Sequence, residues 1–249
     1  MHSIELHPII NAEEFKPGDD LSDYIVSAHN EGKLNFNNGD ILCIASKIVS
    51  IEEGEIIDLS KIIPSEKALE IHQIVPNKDP RVIEIMLNIT NQPDGTALRI
   101  NGSYIGGQLP SGLILTSAGI DKLDGDKVAL LPKNPDKSAE RIGKLIYQRT
   151  HKKIAVIITD SDGRDDRGGS TQLTVGLYGI QPYRQSSYTN DNGEKKQNQE
   201  TLCDLIAAAA GILMGQRGNG IPLVVVQGID YTFDENATLD SILHKRSLS

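Results

Sequence analysis

Short, almost continuously apolar runs alternate with longer segments of helical spacing along this chain. "DILCIASKIVSI", leaving the turn at Asn37, Asn38, Gly39 and Asp40, predicts a strand. "KIAVIITDSD" predicts the most apolar strand, "PLVVVQGI" a buried one, and "TQLTVGLYGI" another. "LILTSAGID" predicts a strand that ends in small residues and an acid. In "DPRVIEIMLNIT" the positions Val82, Ile85, Met86 and Ile89 share one helical face, and Asp79 and Pro80 suit its start. "PSEKALEIHQIV" predicts a helix capped by Ser65, "NPDKSAERIGKLIYQRT" a capped surface helix, and "ETLCDLIAAAAGILMGQ" an Ala-rich helix able to pack closely. Residues 91–112 read as loops or short hairpins, the polar stretch 186–199 as a loop, and residues 235–249 as a short amphipathic tail. Strands and helices mix without a strict βαβ rhythm, so the expected class is α+β. No internal repeat or disordered linker is evident, and the length suits one large domain or two small ones.

Composition narrows the function classes. Of 249 residues 38% are hydrophobic but only 4% aromatic, with no Trp, so the core must rest on Ile, Leu, Val and Ala. A net charge of -9 argues against a nucleic-acid binder held by phosphate contacts. It leaves nucleotides open, because a bound divalent ion supplies positive charge locally. Cys43 and Cys203 both sit in apolar runs and read as small core residues, not as a metal or disulfide framework. No basic region precedes an apolar run at the N-terminus, and no uncharged apolar stretch reaches the ~20 residues of a membrane span. The expectation is a cytoplasmic protein without membrane contact.

Candidate chemistry gathers where apolar strands stop. Asp160 follows Ile157, Ile158 and Thr159, where a strand tip would hold a carboxylate at a cleft. Ser161 and Asp162 follow, then glycines that permit tight turns, and Arg164 and Arg167, whose guanidinium forks suit phosphate or carboxylate oxygens. A solvated hairpin of Asp–Arg pairs is the plainer account of the same residues. Asp121 closes "SAGID" in the same manner. If the two tips lie side by side, Asp121 and Asp160 can share a hard divalent cation, Mg2+ or Mn2+. "MGQRGNGIP" joins a helix to a strand through three glycines, either as a helix cap and turn or as a nest of N–H groups for phosphates. It is neither a Walker loop nor a dinucleotide fingerprint. Lys47 interrupts an apolar run, as a strand-edge residue or a phosphate contact.

Together these blocks resemble the GTP-dependent coenzyme F-420:L-glutamate ligases, the gamma-glutamyl ligases. "GDDLSDYI", "NGDILCIASKIVSIEEGEIIDL", "DPRVIEIML", "SAGID", "LLPKNPDKSAERI", "VIITDSDGR", "AAAAGILMGQ" and "PLVVVQGI" fall in that family's order, with "AGID" and "IITDSDGR" the most telling. The resemblance implies a single domain over residues 1–249, a mixed-sheet α+β fold with two interleaved lobes and an intertwined homodimer. It implies glutamate addition to the lactyl end of a deazaflavin, using GTP as co-substrate and divalent metal, through an acyl phosphate. It further implies that Asp121 and Asp160 ligate metal, that Ser161 and Gln216 serve a second metal position, and that Arg164 and Arg167 act in catalysis. By the same resemblance Leu6, His7, Pro8 and Ile9, Ser46 and Lys47, Asp124, and the loop Met214, Gly215, Gln216, Arg217, Gly218, Asn219, Gly220 and Ile221 contact nucleotide.

The chain departs from the family pattern at several of these positions. Asp124 stands for an Asn, Ile51 for a second lysine, Asp165 and Asp166 for Pro and Trp, and Gly211 for an acid. With no Trp to stack on a deazaflavin, a folate or pterin-type acceptor is an alternative, and a non-catalytic nucleotide- or metal-binding homologue another.

Overall fold

A computed structural model describes residues 3–9, 15–216 and 220–243. Its strands and helices run β1 (Glu5–Pro8), α1 (Leu21–Asn30), β2 (Ile41–Ala45), α2 (Ser46–Glu52), β3 (Ile56–Asp58), α3 (Glu66–Ile74), α4 (Pro80–Ile89), β4 (Leu98–Asn101), β5 (Tyr104–Gln108), β6 (Ile114–Thr116), β7 (Asp121–Lys122) and β8 (Lys127–Ala129). They continue α5 (Pro135–Thr150), β9 (Ala155–Arg164), β10 (Arg167–Tyr178), β11 (Tyr183–Thr189), β12 (Lys195–Thr201), α6 (Leu202–Met214) and β13 (Leu223–Gln227).

The central sheet has the order β1-β13-β2-β9-β10, and only β2 and β9 run parallel. This mixed sheet agrees with the α+β expectation. Successive side chains of a strand face opposite sides. Leu42, Ile44, Val156, Ile158, Leu223 and Val225 join a core with residues of α1, α2 and α5, while Ile41, Cys43, Ala155, Ile157, Val224 and Val226 join one with α6. Both faces are covered, so the strands carry apolar residues at every position instead of alternating. Cys43 and Cys203 are buried core thiols, as expected.

The capping signals act where they were read. Asp79, Ser65 and Asn134 each accept an N–H from the first turn of their helix, and Pro80 and Pro135 open α4 and α5. A bulge lies between Thr174 and Gly176 in β10. Asp136 accepts the Leu177 N–H at 2.8 Å just beyond it, and Asp204 accepts the Thr174 N–H at 3.0 Å.

Between α2 and α5 an inserted region builds two further three-stranded sheets, β3-β8-β7 and β4-β5-β6. It has small cores of its own, one around Ile71, Ile83, Met86 and Ile105, another around Leu59, Val82, Ile85 and Val128.

Three local expectations are corrected. "DILCIASKIVSI" is a strand only to Ala45, and Ser46–Glu52 is helix α2. Its Glu52 accepts from the Leu21 N–H and from Arg141, which ties it to α1 and α5. Ser117–Gly119 of "LILTSAGID" is a tight 3-10 turn, not strand. The stretch 186–199 is no loop: β11 and β12 pair along their full length into an exposed hairpin. The proposed tail contains one 3-10 turn, Leu239–Ser241, and residues 244–249 lie outside the described part.

Candidate active site

The site forms where β2 stops and β9 continues. Ala45 pairs with Thr159, and beyond that pair β9 keeps only β10 beside it. Asp160 is therefore not at a strand tip, as expected from sequence, but inside β9, at the first position whose other edge is free. Three other segments arrive at the same end of the sheet. β1 runs antiparallel to β13, with Pro8 opposite Val224 and the Ile9 N–H donating to Leu223 O at 3.0 Å. The Ala45 N–H donates to Pro222 O at 2.9 Å, and the Met214 sulfur at the end of α6 lies 3.6 Å from Thr159 Oγ1.

Asp160 faces the α2 side and is only 7% exposed. Ser46 Oγ donates to its Oδ1 at 2.9 Å. Burial, then the nearby charge of Asp121, push the Asp160 carboxyl up to about 7, against the lowering effect of the Ser46 hydroxyl and the Ser161 N–H. Asp121 comes from β7 of the inserted region, and its Oδ2 is 3.1 Å from Lys47 Nζ. Lys47 thus lies in the first turn of α2, not on a strand edge. Ser46, Lys47, Asp121 and Asp160 are brought together from three parts of the chain.

Asp162 lies on the same face of β9 and is also buried. Its Oδ1 accepts from the Thr116 N–H at 2.7 Å and from Thr116 Oγ1 at 2.8 Å, and the Gly163 N–H donates to Thr116 Oγ1. This knot binds the inserted region to the central sheet. Sequence reasoning noted Asp162 but not its partner, because residues 116 and 162 meet only through the topology.

Arg164 and Arg167 face each other across the β9–β10 turn, both exposed, with Arg167 paired to Asp166 at 3.1 Å. Arg164 is four residues beyond Asp160, about 13 Å along a strand. The arginines do not join the carboxylate pair.

The opposite face of β9 carries Ser161, paired with Gln172 on β10. Gln216 Nε2 donates to Ser170 Oγ at 2.9 Å on the neighbouring stretch of β10. A Cβ at Gly211 of α6 would stand 2.5 Å from Gln172 Cγ, so the Gln172 side chain occupies the space in front of this glycine. The buried Gln172 Oε1 has no hydrogen-bond partner among the described residues. The four predicted metal positions therefore divide, with Asp121 and Asp160 on one face and Ser161 and Gln216 on the other.

The remaining positions are less joined to the set. Asp124 sits in the exposed β7–β8 turn. Gly215 caps α6, Gly220 and Ile221 lead into β13, and Arg217, Gly218 and Asn219 lie outside the described residues. A cleft of about 560 Å³ lies at the other end of the sheet, lined by Tyr147, His151, Lys153 and Phe233 among others, and contains none of the predicted residues. No helix among the described residues is long and apolar enough to cross a membrane.

The donors available beside Asp160 are hard oxygens, which suits magnesium or manganese. No cluster of three or more His, Cys, Asp or Glu side chains fit to hold a metal occurs among the described residues. Two carboxylates with hydroxyls nearby fit a cation whose other ligands are water and substrate phosphates.

Residues 9–228 match the family described as F420-0:Gamma-glutamyl ligase. The coenzyme F420:L-glutamate ligase of Methanothermobacter thermautotrophicus is 34% identical over 229 residues, 90% of this chain and 87% of its own length. The protein of that name from Methanosarcina mazei is 34% identical over 233 residues, 92% of this chain and 85% of its own. That from Methanosarcina acetivorans is 32% identical over 241 residues, 95% and 89%.

Proposed function

The chain belongs to the F420-0:gamma-glutamyl ligase family, whose members are amide-forming ligases, and we propose that it joins L-glutamate to the deazaflavin F420-0 using GTP and a divalent cation. The observation that carries the reading is the buried carboxylate of Asp160 beside Asp121. A strand interior gains nothing from a carboxyl lifted to about 7 by burial and a like charge, and a divalent cation would relieve both effects.

Joining a carboxylate to an amine in water requires activation. In the proposed reaction the acceptor carboxylate attacks the γ-phosphorus of GTP, GDP leaves, and an acyl phosphate forms. The glutamate amine then attacks the acyl carbon, inorganic phosphate leaves, and the amine gives up its proton. A magnesium or manganese ion, when bound, neutralises phosphate charge during transfer. Asp121 and Asp160 would hold it, and Ser161 and Gln216 would serve a second position across the strand. Ser46 fixes the Asp160 carboxylate, and Lys47 stands ready to exchange Asp121 for a phosphate oxygen. The segment from Leu6 to Ile9 and the loop from Met214 to Ile221 would cradle the nucleotide. Arg164 and Arg167, set away from the carboxylates, suit the carboxylates of the incoming glutamate. No enzyme nucleophile is needed, and burial raises both cysteine thiols far above reactive values.

The exposed, self-paired β11–β12 hairpin supports a homodimer in which this element packs on a partner; sedimentation of a chain lacking residues 184–200 tests that part.

The experiment for the function supplies labelled glutamate, GTP and Mn2+ with F420-0 in one reaction and a reduced folate in another. Label on F420-0 is expected. Label only on the folate would move the acceptor class, and label on neither would leave a binding protein on a ligase scaffold.

A further inference from the structure

Lys78 is a cation that the proposed reaction has not used. It lies in the turn between α3 and α4, two residues before Pro80. Its Nζ donates to Ser117 Oγ, and among the described residues no carboxylate stands within ion-pair distance of it. The adjacent Asp79 is committed to Arg81, to which both its carboxylate oxygens are bonded. Burial lowers the Lys78 pKa, and no neighbouring charge compensates. A half-buried ammonium held against a hydroxyl, with no counter-charge, carries an unpaid desolvation cost.

The partner is as unusual as the lysine. Ser117, Ala118 and Gly119 have φ of 55, 55 and 74°, a run of three left-handed residues of which only one is glycine. Each non-glycine there costs about 1 kcal/mol or more. Packing holds the turn in place: a Cβ on Gly107 would stand 2.8 Å from Ala118 Cβ, and one on Gly119 2.8 Å from Leu131 Cγ. The turn also links two residues already in the site. Thr116 precedes it, bonded to Asp162, and Asp121 follows, paired with Lys47. The strained turn thus holds Ser117 between Thr116 and Asp121, two residues of the site, and Lys78 is hydrogen-bonded to it. Lys47 is matched by Asp121 and Arg167 by Asp166, whereas Lys78 has no acid to match it among the described residues.

We propose that Lys78 and Ser117 form an oxyanion subsite that binds a phosphate or carboxylate group of a substrate on the wall opposite β9. This rests on the ligase reading for the identity of the substrates, but not for the existence of the subsite. Phosphate oxygens would come from the nucleotide, and carboxylate oxygens from glutamate or the acceptor.

Binding by calorimetry separates these sources without turnover. Wild type, Lys78→Met and Lys78→Arg are each titrated with inorganic phosphate, GTP plus Mn2+, L-glutamate and F420-0. Lys78→Met is expected to weaken one of the three substrates about tenfold or more, the loss of a charge-assisted hydrogen bond, while Lys78→Arg recovers most of it. The probe that weakens names the group bound. Unchanged affinity for all four probes, or no measurable wild-type binding of any, overturns the subsite. Equal weakening of all four with a lowered melting temperature also overturns it, because the lysine would then be structural. Wild type that binds phosphate through Lys78 yet makes no amide leaves the subsite standing and removes the ligase reading.

Discussion

The two halves of β9 differ sharply in their surroundings. Residues 155–159 have a paired strand on both sides and helices on both faces, and all are buried. Residues 160–164 keep β10 but lose β2, and read Asp-Ser-Asp-Gly-Arg. One continuous backbone thus passes from a wholly apolar setting to one where a buried carboxylate is held by a serine hydroxyl. The change coincides with a freed strand edge, not with the strand's end. Beyond Thr159 the place of β2 is taken by side chains, with Ser46 on Asp160 and Thr116 on Asp162 and the Gly163 N–H. On the proposed reading the lower half supplies rigidity and the upper half chemistry, and each should fail in its own way when damaged.

The largest expected effect is in the upper half. Asp160→Asn keeps the shape and removes the charge, and we expect ligation to fall about a thousandfold or more, as when a group holding a catalytic metal is lost. Steady-state rates with saturating GTP and Mn2+ check it, and a fall below tenfold would break the comparison. The lower half should show the reverse. Ile157→Ala leaves a cavity in the fully buried core under α6, costing about 2–5 kcal/mol of stability by denaturant unfolding, with kcat of the folded fraction little changed.

A third effect concerns the same aspartate without ligands. Its carboxyl titrates at about 7 in the folded protein, above its ordinary value of 3.8. Between those values the folded state holds a proton that the unfolded state has released, so stability falls as pH rises through that window and levels off above it. Metal-free Asp160→Asn lacks this loss. Its stability relative to wild type should rise by a few kcal/mol at most between pH 4 and pH 8; equal pH dependence of the two proteins would contradict the burial argument. The smallest effect is Thr116→Val, which removes the hydroxyl between Asp162 and the Gly163 N–H. It should cost about 1 kcal/mol of stability and disturb KM more than the melting temperature, since it loosens the inserted region against β9.

Much of this was readable before any coordinates. The buried strands, three helix caps, both core cysteines and the meeting of Asp121 with Asp160 follow from local pattern and resemblance. Helix α2 did not. "IASKIVSI" is apolar at too many positions for periodicity to separate a short helix from a strand, and only its packing against α1 and α5 decides. The β11–β12 hairpin was missed because its residues are polar on both faces. Its Asn192–Gly193 pair is a hairpin-turn signal, but no hydrophobic alternation marks the strands on either side. The Thr116–Asp162 knot and the Lys78–Ser117 contact join residues 46 and 39 positions apart, which no local signal specifies.

The most direct test of the central claim is Mn2+ binding followed by electron paramagnetic resonance, with and without GTP, in wild type and in Asp160→Asn. The account predicts a bound signal in wild type that GTP strengthens and that the variant loses, with the fold intact by circular dichroism. An equal bound signal in both proteins would show that the freed edge of β9 does not hold the metal, and the site would have to be sought elsewhere.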